Sequence, residues 1–133
     1  MNPSGPGDPI TTVLLVEDHA DSRHMYAEFL RADFTVVEAE DGIRALEIMG
    51  QSRPDVVITD LALPRMDGFE LVTRMREDAR LREIPVIALS GYSSTEHEMR
   101  ALEAGSNVVL RKPCLPDELA RAVVSASKSR KDS

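Results

Sequence analysis

Three acids, a hydroxyl and a lysine stand at the ends of apolar runs: Glu17-Asp18, Asp60, Ser90 and Lys112, the last within Arg111-Lys112-Pro113. If the runs ending in Glu17-Asp18 and Asp60 are neighbouring strands, three carboxylates converge in one small space. At an effective dielectric of 20, two like charges about 5 Å apart repel by roughly 3 kcal/mol, so the cluster needs a bound cation or raised pKa values. Mg2+, which keeps several waters and takes only one or two carboxylates, suits a shallow pocket of this kind. The hydroxyl of Ser90 and the ammonium of Lys112 arrive at the same edge. Together these groups describe phosphoryl transfer, in which metal and ammonium neutralise the equatorial oxygens and a carboxylate is the nucleophile.

The elements that must carry these residues are legible from hydropathy. Five short apolar, β-branched runs occur at 13–16, 34–37, 56–59, 85–89 and 108–110, and the first, third and fourth are nearly continuous, as in strands covered on both faces. Between them lie segments of helical period. Met25 with Phe29 and Tyr26 with Leu30 are i,i+4 pairs; Ala45, Leu46 and Met49 share one face; Leu71 pairs with Met75 after Asp67-Gly-Phe-Glu70, which has the form of a capping box. A fourth helix starts near Ser93–Glu96 and is stopped by Gly105. A fifth opens at Pro116 and carries Leu119, Ala122, Val123 and Ala126 on one side. Five alternations predict an α/β fold: a doubly wound five-stranded parallel sheet of flavodoxin-like order 2-1-3-4-5, with helices on both faces and ligands at the carboxyl ends of its strands.

Composition narrows the function. The 133 residues suffice for one domain, and 42% hydrophobic with 29% charged residues is ordinary for a globular protein. Sixteen basic against 23 acidic residues leave a net charge of −7, which argues against a nucleic-acid binder. A single cysteine, Cys114, and no long apolar stretch suggest a cytoplasmic protein without a membrane anchor. Residues 1–9 read as a disordered leader, 10–127 as the globular domain and 128–133 as a polar tail.

The order Glu17-Asp18, Asp60-Leu-Ala-Leu-Pro-Arg-Met-Asp-Gly68, Ala88-Leu-Ser90 and Lys112-Pro113 resembles the receiver domain of two-component response regulators. The resemblance spans nearly the whole ordered chain. It implies that Asp60 accepts a phosphoryl group from a histidine kinase or histidine phosphotransfer protein, and that the domain relays this by conformational change to a downstream protein the sequence does not name. By the same resemblance Asp18 is a direct Mg2+ ligand, Glu17 acts on the metal largely through water, Asp60 shares it, and the backbone carbonyl of Ala62 is a third protein contact. Ser90 grasps the phosphoryl group, Lys112 pairs with it, and the Lys112-Pro113 bond is cis. Such a domain is a phospho-accepting signalling module and not a turnover enzyme, with no nucleic-acid or membrane partner; weak homodimerisation is compatible with it. No output module follows the last helix, as in a stand-alone relay or a piece of a larger protein.

One position departs from the pattern. The aromatic ring expected three residues before the lysine is Val109 here, and a valine has too little reach to fill space vacated by Ser90. The expected signal route is therefore the loop Gly91-Tyr92-Ser93-Ser94, with helix 5 changing little. The alternative function, a haloacid-dehalogenase-like aspartyl-phosphate phosphatase, needs a second acid two residues after the nucleophile, where Ala62 stands. A flavodoxin-like cofactor binder is disfavoured because Glu17-Asp18 would repel a phosphate. Asp67 reads as a helix cap, His19, His24 and His97 as solvated residues without metal-ligand spacing, Cys114 as a bystander, and Lys128, Arg130 and Lys131 as part of a solvated tail.

Overall fold

The computed structural model describes residues 11–91 and 94–132, with side chains through residue 128. The leader at 1–9 and the loop residues Tyr92 and Ser93 lie outside the described residues. Strand and helix alternate as β1 (Thr12–Val16), α1 (Ala20–Leu30), β2 (Thr35–Ala39), α2 (Gly42–Gln51), β3 (Val56–Asp60), α3 (Gly68–Glu77), β4 (Val86–Ser90), α4 (Thr95–Ala104), β5 (Val108–Arg111) and α5 (Pro116–Asp132). All strand pairs are parallel and the order is 2-1-3-4-5, as the alternation predicts.

Period-two alternation along the strands divides the core between the two faces. Val13, Leu15, Val56, Ile58, Ile87 and Leu89 pack against α1 and α5, through Tyr26, Ala27 and Leu30 on one side and Leu119 and Val123 on the other. Leu14, Val16, Val57 and Val86 face α2 and α3, meeting Ala45, Met49, Leu71, Val72 and Met75. Helix α4 closes the second face more thinly. Ala101 packs with Leu61, Phe69 and Ala88, the half-buried Val109 lies against this group, and the Arg100 guanidinium sits 3.9 Å over the Phe69 ring. Among the described residues no helix is long and apolar enough to cross a membrane.

Some local expectations shift. On α1 only one of the two i,i+4 pairs is buried: Tyr26 and Leu30 enter the core, while Met25 and Phe29, rotated by about 100° per residue on the helical wheel, stay about half exposed. Strand β2 begins at Thr35, one residue after the apolar run starts, because the Phe34 N–H closes α1 by donating to the Leu30 carbonyl (2.9 Å). Half of the capping box forms: Asp67 accepts from the Glu70 N–H (2.9 Å), but the Glu70 carboxylate turns outward to Arg74 (3.0 and 3.1 Å). Helix α5 continues to Asp132, through the stretch read as a polar tail. Gly105 ends α4 at φ 122°, and a side chain there would meet Arg76, whose guanidinium donates to the Gly105 carbonyl at 2.8 and 3.0 Å.

Candidate functional site

Parallel register brings the chemically distinctive residues to one edge. Val16 pairs with Thr59, Asp60 with Leu89 and Ser90 with Arg111, so Glu17, Asp60, Ser90 and Lys112 all leave the sheet at its carboxyl end. The loop after β3 is drawn tightly under this edge. The Gly68 N–H donates to the Leu61 carbonyl (2.9 Å), and a Cβ on Gly68 would come within 2.7 Å of Leu61 Cα, a space that only glycine leaves open. Arg65, at φ 65°, places its guanidinium in an ion pair with the buried Asp41, which also caps α2 by accepting from the Arg44 N–H (2.8 Å). The sequence reading did not single out Arg65 or Asp41. A tie between a loop and a helix start 24 positions apart leaves no periodic trace.

Lys112 organises the charges. Its ammonium donates to Glu17 Oε1 at 3.0 Å and to Asp60 Oδ2, while the Ala62 N–H donates to Asp60 Oδ1 at 3.0 Å. Glu17 is fully buried and Asp60 and Ser90 are 3% and 2% exposed. Burial raises the Asp60 carboxyl above the usual aspartate range, with Lys112 and the Ala62 N–H offsetting part of that rise. Burial would also raise Glu17, but the His19 N–H and Lys112 outweigh it and hold Glu17 below its usual value. For Lys112 burial works against the charge, and its two carboxylate partners prevail, so the ammonium persists above its ordinary pKa. Around this centre the Lys112 N–H donates to the Ser90 carbonyl (2.8 Å), the Lys112–Pro113 bond is cis, and the Tyr26 hydroxyl donates to the Cys114 carbonyl (2.7 Å), fastening the turn after β5 to α1.

Next to this bridge lies a cluster of atoms able to ligate a metal. Oxygen atoms of Glu17 and Asp18 and a ring nitrogen of His19 lie within 4.8 Å of one another. Asp18 Oδ1 is closed off from solvent and no hydrogen bond reaches it, the environment expected of a carboxylate oxygen shaped for a cation. Of the residues expected to share a metal, Glu17 and Asp18 are in this trio, while Asp60 and Ala62 adjoin it through the Lys112 bridge and the 60–62 turn. His19 is largely solvent-exposed, as its lack of metal-ligand spacing suggests, and its Nδ1 lies 3.3 Å from Glu17 Oε2 and 3.4 Å from Asp18 Oδ1. His24 instead faces Glu38 (3.6 Å), and His97 is half-buried on α4. Cys114 is buried, and burial together with nearby Glu118 pushes its thiol up to about 11, in keeping with an inert bystander.

The family model for the response regulator receiver domain matches residues 13–124. Two-component response regulator ORR3 of Oryza sativa subsp. indica is 36% identical over 116 residues, covering 86% of this chain and 88% of that protein. Histidine kinase P4 of Formosa agariphila is 36% identical over 103 residues, 77% of this chain, and there the chain spans only 8% of the relative's length. Among solved structures, the chemotaxis response regulator CheY4 of Vibrio cholerae superposes with a TM-score of 0.83 at 30% identity, over 89% of this chain and 99% of that one. The receiver domain of a Syntrophus aciditrophicus signal transduction histidine kinase gives 0.85 at 29% identity, over 92% and 94%. These likenesses run across the same strand ends that gather Glu17, Asp60, Ser90 and Lys112, and they place the protein: it belongs to the response regulator receiver domain family of two-component signalling.

Proposed function

We propose that Asp60 is the phospho-acceptor, taking a phosphoryl group from the phosphohistidine of a histidine kinase or histidine phosphotransfer protein. An Asp60 carboxylate oxygen forms the new P–O bond as the P–N bond breaks, and the electron pair stays with the departing imidazole, which takes up a proton. The observation that carries this reading is the Lys112 ammonium bridging Asp60 and Glu17, a cation held where the phosphoryl oxygens must be neutralised. The Ala62 N–H orients Asp60 through Oδ1, and Ser90, buried at the end of β4, donates its hydroxyl to the incoming group. Residue 62 offers no side-chain acid for a phosphatase's second proton transfer, which favours a relay over a turnover enzyme.

The orphaned Asp18 Oδ1 and the adjoining carboxylates fit a hard divalent ion. Glu17, Asp18, Asp60 and the Ala62 carbonyl would hold Mg2+, which when bound supplies charge neutralisation at the phosphoryl oxygens. The working domain is residues 10–127, cytoplasmic, without a nucleic-acid or membrane partner, and it signals to a downstream protein with at most weak self-association. Because Val109 is a small side chain packed against Leu61, Phe69, Ala88 and Ala101, the signal leaves through the backbone of the 91–94 loop, and α5 moves little.

Acetyl phosphate labelling followed by intact-mass spectrometry tests the assignment. One phosphoryl group is expected on the wild type in Mg2+, with none in Asp60→Asn or in excess EDTA. A label that survives in Asp60→Asn overturns it. Amide exchange with and without a beryllofluoride mimic tests the route: changes centred on β5 and α5, with residues 90–96 unaffected, would refute it.

A further inference from the structure

We propose that Arg23 and Tyr26 on α1 are positioning residues for the phosphoryl transfer: they grip the main chain on both sides of the Lys112–Glu17 bridge and so set where the Lys112 ammonium meets Asp60. The inference rests on the reading of Asp60 as the phospho-acceptor and goes beyond it by naming the side chains that fix the geometry.

The two acceptors are the first observation. Arg23 Nη1 donates to the Glu17 carbonyl (2.9 Å), at the turn where β1 gives way to α1, and the Tyr26 hydroxyl donates to the Cys114 carbonyl (2.7 Å), in the turn that Lys112 opens. Each bond thus ends on the backbone of a loop that carries one partner of the bridge, in which Lys112 Nζ donates to Glu17 Oε1 (3.0 Å) and to Asp60 Oδ2. Arg23 and Tyr26 stand at i and i+3, neighbours on one side of α1, so a single helix holds two loops remote from each other in sequence.

How the two donors are themselves held is the second. Arg23 Nε donates to Glu38 Oε1 (3.1 Å) while Arg31 donates to Oε2 of the same carboxylate (3.1 Å), which pins the Arg23 guanidinium between β2 and the turn after β1; its side chain is only 14% exposed. Tyr26 is buried together with Ala27 and Leu30, the residues that seat α1 on the sheet. Position matters here because a lysine is a point charge on a flexible four-carbon stem, whose reach is set by the backbone that launches it. The Lys112 N–H on the Ser90 carbonyl (2.8 Å) fixes the start of that backbone turn, and Tyr26 fixes its end. A displacement of about 1 Å at a reacting group costs up to about 10²-fold in rate, so a loosened turn reaches the chemistry without any contact to the transferred group.

The test uses the full chain as wild type, Tyr26→Phe, Arg23→Met and the control Cys114→Ala, each alone and combined with Lys112→Met. It reads the rate of Asp60 labelling by acetyl phosphate in Mg2+ and, in metal-free protein, the nitrogen NMR resonance of the Lys112 ammonium. Phe keeps the ring in the core and removes only the donor, Met keeps an unbranched stem and leaves Glu38 on Arg31, and Cys114→Ala retains the carbonyl that Tyr26 uses. The rate at saturating acetyl phosphate should fall about fivefold or more in Tyr26→Phe and in Arg23→Met, with the half-saturating concentration changed by less than about twofold and Cys114→Ala labelling as wild type. The Lys112 resonance should move toward that of a solvated lysine in both variants. With Lys112→Met neither substitution should lower the rate further, as required of residues that act through the lysine. Wild-type rates with an unmoved Lys112 resonance overturn the proposal, and so do losses that persist undiminished beside Lys112→Met, which mark a purely structural role. If far-UV circular dichroism shows Arg23→Met unfolded, Tyr26→Phe decides by the same criteria. A wild-type chain that never labels on Asp60 refutes the receiver chemistry, and the metal-free Lys112 resonance then decides the positioning by itself.

Discussion

Strands β3 and β4 are buried along their whole length and β1 along all but its first residue, whereas β5 is half-buried at three positions and exposed at Arg111. Helix α3 buries five residues against the sheet, and α4 buries Ala101 alone while Met99 and Leu102 face solvent. The acids of the site grow from the tightly held strands. Lys112 reaches them from the loosely held one. Packing that over-determines β1 and β3 lets two buried carboxylates stay close despite their repulsion, and the cation that reconciles them comes from the end of a half-buried edge strand. The two regions thus differ in how firmly they are held, a buried centre and a half-buried flank.

The largest expected effect probes the rigid half. Ile58→Ala in the middle of β3 should destabilise the chain by about 2–5 kcal/mol in urea unfolding, because the surrounding core cannot collapse into the cavity. A cost below about 1 kcal/mol would mean that the centre of the sheet is no better held than its edge.

Removing the reconciling charge sharpens the contrast. Lys112→Met should cost about 2 kcal/mol in the metal-free protein by leaving Glu17 and Asp60 facing each other unpaired, less than a fully buried pair would because Lys112 is partly solvated. Adding Asp60→Asn to it should restore much of that loss, since one of the two repelling charges is then gone. Independent, additive effects of the two substitutions would show that the bridge does not couple β3 to β5.

Alkaline pH reads the same junction through proton linkage. Cys114 is pushed up from 9.0 to about 11, foremost by burial; burial also raises Tyr26, and Lys112 is raised because its carboxylate partners outweigh burial. Between pH 9 and pH 11 the folded protein thus holds protons that the unfolded chain has released, so this stability is fully present below pH 9 and is lost as pH rises toward 11. The loss should be on the order of 1–2 kcal/mol over that interval, and Cys114→Ala should move its onset upward toward the tyrosine range. A flat profile would contradict it. The smallest effect belongs to the flank: Leu102→Ala should change stability by no more than about 0.5 kcal/mol. A cost matching that of Ile58→Ala would erase the distinction between the two regions.

Much of this was readable before any coordinate. Near-continuous apolar runs mark β1, β3 and β4 because a strand covered on both faces tolerates few polar residues, and the order of Glu17-Asp18, Asp60, Ser90 and Lys112 at strand ends marks the edge where chemistry collects. Edges of elements were less legible. Phe34 looks like the start of β2 but closes α1, and Met25 and Phe29 have core-like spacing on a helix whose buried face is one residue further on. Residue type and period carry no information on which of two adjacent stripes meets the sheet.

Local patterning was enough for the alternation of elements, the parallel sheet and the identity of the charged groups at its carboxyl edge, because burial periodicity and strand termini are local properties of the chain. How those groups pair rests on the tertiary structure: Lys112 spans 95 residues to Glu17 and 52 to Asp60, Arg65 turns onto Asp41, and the exposed His19 places Nδ1 beside two acids. Such pairings depend on strand register and on the direction in which each turn leaves the sheet, and those are set by packing among distant residues.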